Sequence, residues 1–233
     1  MASVVESGPS GPLYLYGLCL NPAQPPVLPP GIAGRVDLIA VDALAALVEE
    51  NIDLEAIQAD NSRLLEAVVS HDRVLCQIFQ HLPLLPLRFG TQLPSRDHLR
   101  AYLTQEQATY QAKLLALGDQ AEYQVKLIPT PLDLPPLPEG LKGRDYFLAK
   151  KQRLQDLALA QQQQQAERHT LLRIITTAYP QAVVDETAAD PKVYLLLRRS
   201  QQESLAEDLG QWQATAAQWQ IQMSEALPPY HFV

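Results

Sequence analysis

Two proline-rich tracts govern how this chain can fold. "NPAQPPVLPPG" (residues 21–31) and "PTPLDLPPLPEG" (129–140) hold ten of the 19 prolines. Proline has no backbone N–H, so neither tract can run as a helix interior or a central strand. Regular elements must lie before, between and after them. A chain of 233 residues suits one large domain or two small ones. The second tract is the natural division, because such a stretch is extended and semi-rigid.

Hydrophobic periodicity sets the elements. Residues 1–12 read as a flexible tail, and "LYLYGLC" (13–19) as a strand. In "RVDLIAV" (35–41), alternation puts Val36, Leu38 and Ala40 on one face. Asp42 is then placed to cap a short helix over "ALAALVEE". From Ile57 to Phe79 apolar residues recur at helical spacing until Pro83 ends the run. "LLPLRF" (84–89) reads as a strand, irregular or at an edge because of Pro86. A helix over about 95–117 follows, then the alternating strand "AEYQVKLI" (121–128), with Tyr123, Val125 and Leu127 inward and Glu122, Gln124 and Lys126 outward. This predicts an N-terminal ferredoxin-like α+β domain over 13–130, a linker at 131–143, and a C-terminal α+β domain over 144–233. The last would hold a helix over about 144–178, projecting or breaking at "AQQQQQAER", then two strands, the helix "SQQESLAEDLGQWQATAA" and the strand "QWQIQMS", alternating with Trp219, Ile221 and Met223 inward.

Composition excludes some classes. Hydrophobic residues make up 47%, enough for a core, and the net charge is −8. That disfavours nucleic acid and an anionic membrane surface, since both call for clustered Lys and Arg. Cys19 and Cys76 stand far apart, with neither disulfide nor metal-ligand spacing, so a reducing cytoplasm is expected. "MASVVESGPSGP" lacks the basic and apolar regions of a signal peptide.

Motifs for nucleotide, metalloprotease and serine hydrolase chemistry are missing. No cofactor or metal is expected. His71-Asp72 has a proton shuttle as its functional reading and a partly exposed helix residue as its ordinary one. His81 near a helix end fits the helix dipole. Glu49 and Glu50 are neighbours rather than a facing pair, and read as a solvated helix end. His169 and His231 have no ligand partners nearby in sequence. The Gln run 161–165 is a solvated helix or an interaction stripe. Tyr14 and Tyr16 share one face of the first strand; Leu13, Leu15, Gly17 and Cys19 share the other. Both faces are apolar, which suggests an interface or cover by the second domain. Arg88 faces away from the helical layer. It is either a fold-holding ion pair or a partner-facing anchor beside Tyr14 and Tyr16, since Arg and Tyr are enriched at interface hot spots.

Four stretches in order resemble the gas vesicle protein F/L family. They are the strand "LYLYGLC", the helix "VVSHDRVL" with the following "LPLLPLRFGTQL", the strand "EYQVKL", and the ending "LPPYHFV". Leu227 stands before Pro228-Pro229 where many relatives carry an aromatic residue. The resemblance implies a non-enzymatic assembly or minor structural protein of gas vesicles. It would work in the cytoplasm, as a monomer, by contacting the major, small hydrophobic shell protein and other gas vesicle accessory proteins. The partner surface expected is Tyr14, Tyr16 and Arg88. The competing class is a small-molecule-binding or enzymatic ferredoxin-like α+β protein, which would need a pocket with convergent polar groups.

Overall fold

The computed structural model describes residues 11–187 and 190–233. Residues 1–10 of the expected tail lie outside it. The fold is α+β, and the described residues form two compact units. One runs to Glu122 and takes in Ala226–Val233; the other is Tyr123–Glu225.

The first unit is an open sandwich of the ferredoxin-like kind. Its strands are β1 (Leu13–Leu20), β2 (Asp37–Val41), β3 (Leu44–Glu50), β4 (Leu84–Pro86) and β5 (Gln92–Leu93). They lie in the order β2-β3-β1-β4, with β5 also pairing β1, and each of these pairs is antiparallel. The first proline-rich tract stands between β1 and β2. The helices are α1 (Leu54–Gln58), α2 (Asn61–Phe79) and α3 (Arg96–Leu117). Side-chain oxygens of Asp53, Asp60 and Ser95 take the free N–H groups at their starts.

One strand replaces an expected helix. "LAALVEE" is rich in strong helix formers, yet it is β3, the strand between β1 and β2. Leu44–Val48 are 0% exposed, so burial on both faces overrides propensity. Asp42 is no helix cap. With φ 51° it turns the chain between the paired Val41 and Leu44.

β1 carries a bulge. Leu15 pairs Val48 and Gly17 pairs Leu47, so Tyr16 is the extra residue. The bulge changes which residues share a face. A Cβ on Gly17 would lie 3.2 Å from Leu75 of α2, on the side where Tyr14 and Tyr16 meet His71 of α2. The alternation that put Gly17 opposite the tyrosines is thus corrected. Glu49 and Glu50 also diverge, as neighbours on a strand must. Glu49 reaches Tyr16, while Glu50 pairs with Arg96 at the start of α3 at 2.7 Å. So α2 covers one face of the sheet and α3 begins on the other, which accounts for two apolar faces.

The second unit holds most of β6 (Gln120–Pro129), then α4 (Gly143–Ala178), β7 (Val183–Asp185), β8 (Lys192–Arg198), α5 (Gln202–Thr215) and β9 (Trp219–Met223). The strand order is β7-β8-β6-β9. The division between units falls inside β6, so the tract at 131–143, expected as a linker, lies within the second unit. Its Leu134–Pro138 segment runs along α4 and bounds a cavity of about 210 Å³ with Ala149, Gln152, Arg153 and Asp156. α4 is unbroken over 36 residues. Its glutamine run is partly structural: Gln164 donates to Thr130 O at 2.8 Å, and its own carbonyl accepts from the Trp219 indole at 3.0 Å.

Candidate functional site

The segment Leu84–Leu93 leaves β1 and returns to it. Leu87 N donates to Tyr16 O, and Leu15 N donates to Thr91 O, both at 2.9 Å. Between these anchors residues 88–90 loop out. Arg88 is exposed there, and its carbonyl accepts from the backbone and side chain of Thr91. No ion pair joins Arg88 to another described residue, so the fold-holding pair is not what places it. It sits at a surface turn.

Under this turn lies a buried polar cluster. Tyr14 and Tyr16 are 0% exposed, and their rings pack edge to face 5.0 Å apart. His71 stacks on Tyr16 and meets Phe89 edge to face. The hydrogen bonds fix the imidazole. Nε2 lies 3.1 Å from Leu87 O, a carbonyl that can only accept, so Nε2 carries the proton. Nδ1 then accepts from the Tyr14 hydroxyl at 2.8 Å. Burial lowers the His71 pKa below its ordinary 6.5, against smaller raising effects of the Leu87 carbonyl and Asp72. Burial, followed by the bonded Glu49, holds the Tyr16 hydroxyl far above its ordinary value.

Glu49, 1% exposed, anchors the proline-rich loop. Its Oε2 accepts from the Tyr16 hydroxyl and from Ile32 N at 2.8 Å. Its Oε1 accepts from Ala33 N at 2.8 Å and from Gly34 N. Three successive N–H groups and a hydroxyl thus offset the cost of burying a charge. Gly31 leaves the room for this: a Cβ there would stand 1.9 Å from Glu49 Oε2. Arg73 of α2 ties the same loop by donating to Pro30 O at 2.9 Å.

A second buried carboxylate holds the chain's last residues. Glu122, 1% exposed, accepts from the backbone N and from Nδ1 of His231, each at 2.8 Å. Tyr230 donates to Asp72 of α2, and its oxygen lies 4.0 Å from the Cys76 sulfur.

Several expectations are therefore corrected. Tyr14 and Tyr16 cannot offer rings to a partner, because both are enclosed and their hydroxyls are engaged inside. Only Arg88 of that trio is at the surface. Glu49 and Glu50 lie on a strand rather than a solvated helix end, and Glu122 points inward rather than out. His71 is buried, and His231 finds its partner 109 residues away. Local spacing shows none of these partners. Chemically, the ring nitrogens of His71 and both oxygens of Glu49 are committed to neighbours, which is the arrangement of a brace. Among the described residues no group of His, Cys, Asp and Glu could hold a metal ion, and no helix is long and apolar enough to cross a membrane.

The outer face of α2 carries a different feature. Leu65, Val69, Asp72 and Cys76 follow one another on it at helical spacing. Tyr230 occupies the Asp72–Cys76 half. Leu65 and Val69 on the other half are 66% and 59% exposed, with Val68 beside them at 40%.

Comparison with known proteins adds identity. A gas vesicle protein F of Streptomyces sp. (strain CB03234) is 32% identical over 120 residues, covering 48% of this chain. The match covers 47% of the relative, so the chain spans about half the length of the curated relative it matches. The crystal structure of the gas vesicle protein GvpF from Anabaena sp. PCC7120 superposes with TM-score 0.67 at 17% identity, over 96% of this chain and 98% of that one. That of GvpF from Microcystis aeruginosa gives 0.66 at 17% identity, over 96% and 99%. At such identity these two show the fold. Residues 12–233 match the family described as gas vesicle synthesis protein GvpL/GvpF, and the chain belongs to that family.

Proposed function

We propose that this chain is a non-enzymatic assembly or minor structural protein of gas vesicles, acting in the cytoplasm as a monomer and contacting the small hydrophobic shell protein. Family membership supports the gas vesicle role. The observation that carries the contact is the half-covered face of α2. The chain's own Tyr230 covers one half, while Leu65, Val68 and Val69 leave the other open to water. An apolar strip continuous with a packed surface is suited to an apolar segment of a partner. Arg88, exposed on the turn whose Leu87 is bonded to His71 of α2, is a second candidate contact. Tyr14, Tyr16 and Glu49 act indirectly, by holding the turn and the loop beside it.

The test is capture of purified shell protein by the full chain. Saturable binding is expected, weakened at least about tenfold by Leu65→Glu with Val69→Glu and less by Arg88→Ala. Both positions are exposed, so the fold should persist. Unchanged capture by the double variant would reject the α2 surface. No capture by the native chain, with thermal stabilisation by a small molecule, would favour a ligand-binding role instead.

A further inference from the structure

The second unit presents its own unpartnered surface on the first half of α4. The proline-rich segment covers one side of this helix through Ala149, Gln152, Arg153 and Asp156. At 3.6 residues per turn, the opposite side carries Phe147, Lys151, Leu154 and Ala158. Their spacing of four, three and four is that of a heptad seam. Phe147 is 67% exposed and Leu154 is 60% exposed. Arg144 and Lys150 flank the seam. Over Gly143–Ala160 there are four cations (Arg144, Lys150, Lys151, Arg153) against two acids (Asp145, Asp156), in a chain of net charge −8. A locally basic, apolar strip in an acidic protein carries the complement of one kind of partner.

We propose that this face of α4 docks an acidic amphipathic helix of another protein, its apolar residues meeting Phe147 and Leu154 and its carboxylates meeting Lys151, Lys150 and Arg144. A second copy of this chain is a poor occupant. Self-pairing on this seam brings cation-rich faces together, and a lysine at a seam position selects a partner that can neutralise it. A membrane is also a poor occupant, since an interfacial helix needs a broad apolar face. Here Lys151 divides the seam, the other exposed apolar residues Tyr146, Leu148 and Leu159 lie off it on different sides of the helix, and the proline-rich segment takes the opposite side. Beyond Ala158 the seam passes to Gln161 and Gln165, so the docked helix is short.

The experiment uses the full chain and three probes. One is a labelled three-heptad peptide with Leu at a and d and Glu at e and g. The second is the same peptide with Lys replacing Glu. The third is phosphatidylcholine vesicles containing phosphatidylserine. The acidic peptide is expected to bind, and the basic peptide and vesicles are not. Phe147→Ser with Leu154→Ser should weaken binding at least about tenfold, and Lys150→Glu with Lys151→Glu should shift preference to the basic peptide. Fluorescence of Trp212 and Trp219, both in this unit, checks that the variants stay folded. The proposal is overturned by no binding or by equal binding of the two peptides. It is equally overturned by vesicle binding, or by self-association of the native chain, that the Phe147/Leu154 double variant abolishes.

Discussion

Glu122 and His231 stand 109 residues apart in sequence, yet the buried carboxylate accepts both the backbone N–H and the ring Nδ1 of the histidine at 2.8 Å. The end of the chain is thus a structural part of the first unit. Glu122→Ala removes both bonds to the buried carboxylate and should cost about 2–3 kcal/mol, the range for hydrogen bonds to a charged group. His231→Ala keeps the backbone bond and should cost less. Tyr230→Phe, losing one bond to Asp72, should cost ~1 kcal/mol. Hydrogen exchange across α2, which Tyr230 meets at Asp72, is the suitable measurement. Trp212 and Trp219 both lie in the other unit, so their fluorescence should not change, and equal loosening of both units would contradict this assignment.

The Glu49 brace makes a steric prediction. Gly31→Ala would drive a methyl group into Oε2 of Glu49, so the carboxylate or the loop must move, and either loosens the three N–H bonds. A loss of about 2–4 kcal/mol is expected, in the range for disrupting a buried network. Tyr16→Phe should cost about 1.5–3 kcal/mol, as a hydrogen bond to a charged group does. Denaturant unfolding followed by circular dichroism measures both. If Gly31→Ala were neutral, the packing described around Glu49 would be wrong.

Much of the frame was legible because it rests on local signals. The apolar spacing of α2 and the alternation of β6 and β9 each report a face that must be buried. The failures share a physical origin in distant partners. β3 looked helical because Ala, Leu and Glu favour a helix, and only its place between β1 and β2 decides otherwise. One bulge at Tyr16 reversed the faces beyond it. Glu49, Glu122 and His71 looked exposed because nothing beside them in sequence shows a loop, a chain end or a turn folding back. The second proline-rich tract looked like a linker because its contacts are with α4, which begins only after it ends.

His71 makes stability depend on pH. Its folded pKa is depressed below 6.5, first by burial. Well above pH 6.5 the imidazole is neutral in both the folded and unfolded states. Below it, the unfolded chain binds a proton that the folded chain refuses, so stability falls as pH drops from 6.5 toward the folded pKa. His71→Gln should lower stability overall and flatten this slope. Proton–nitrogen NMR at pH 6.5 should find His71 neutral with the proton on Nε2. A charged ring at that pH would contradict the bonds to Tyr14 and Leu87.

The turn between β2 and β3 offers the sharpest check on the corrected strand. Asp42 has φ 51°, a left-handed conformation that costs most residues roughly 1–2 kcal/mol and glycine almost nothing. Asp42 is exposed, and what Asn21 binds there is its backbone carbonyl, not its side chain. Asp42→Gly should therefore leave stability unchanged or raise it slightly. Asp42→Val should lose roughly 1–2 kcal/mol, because a β-branched side chain crowds the backbone there. The two differ in sign only if the turn is left-handed at this residue. Equal losses in the Gly and Val variants would contradict a left-handed turn at this residue.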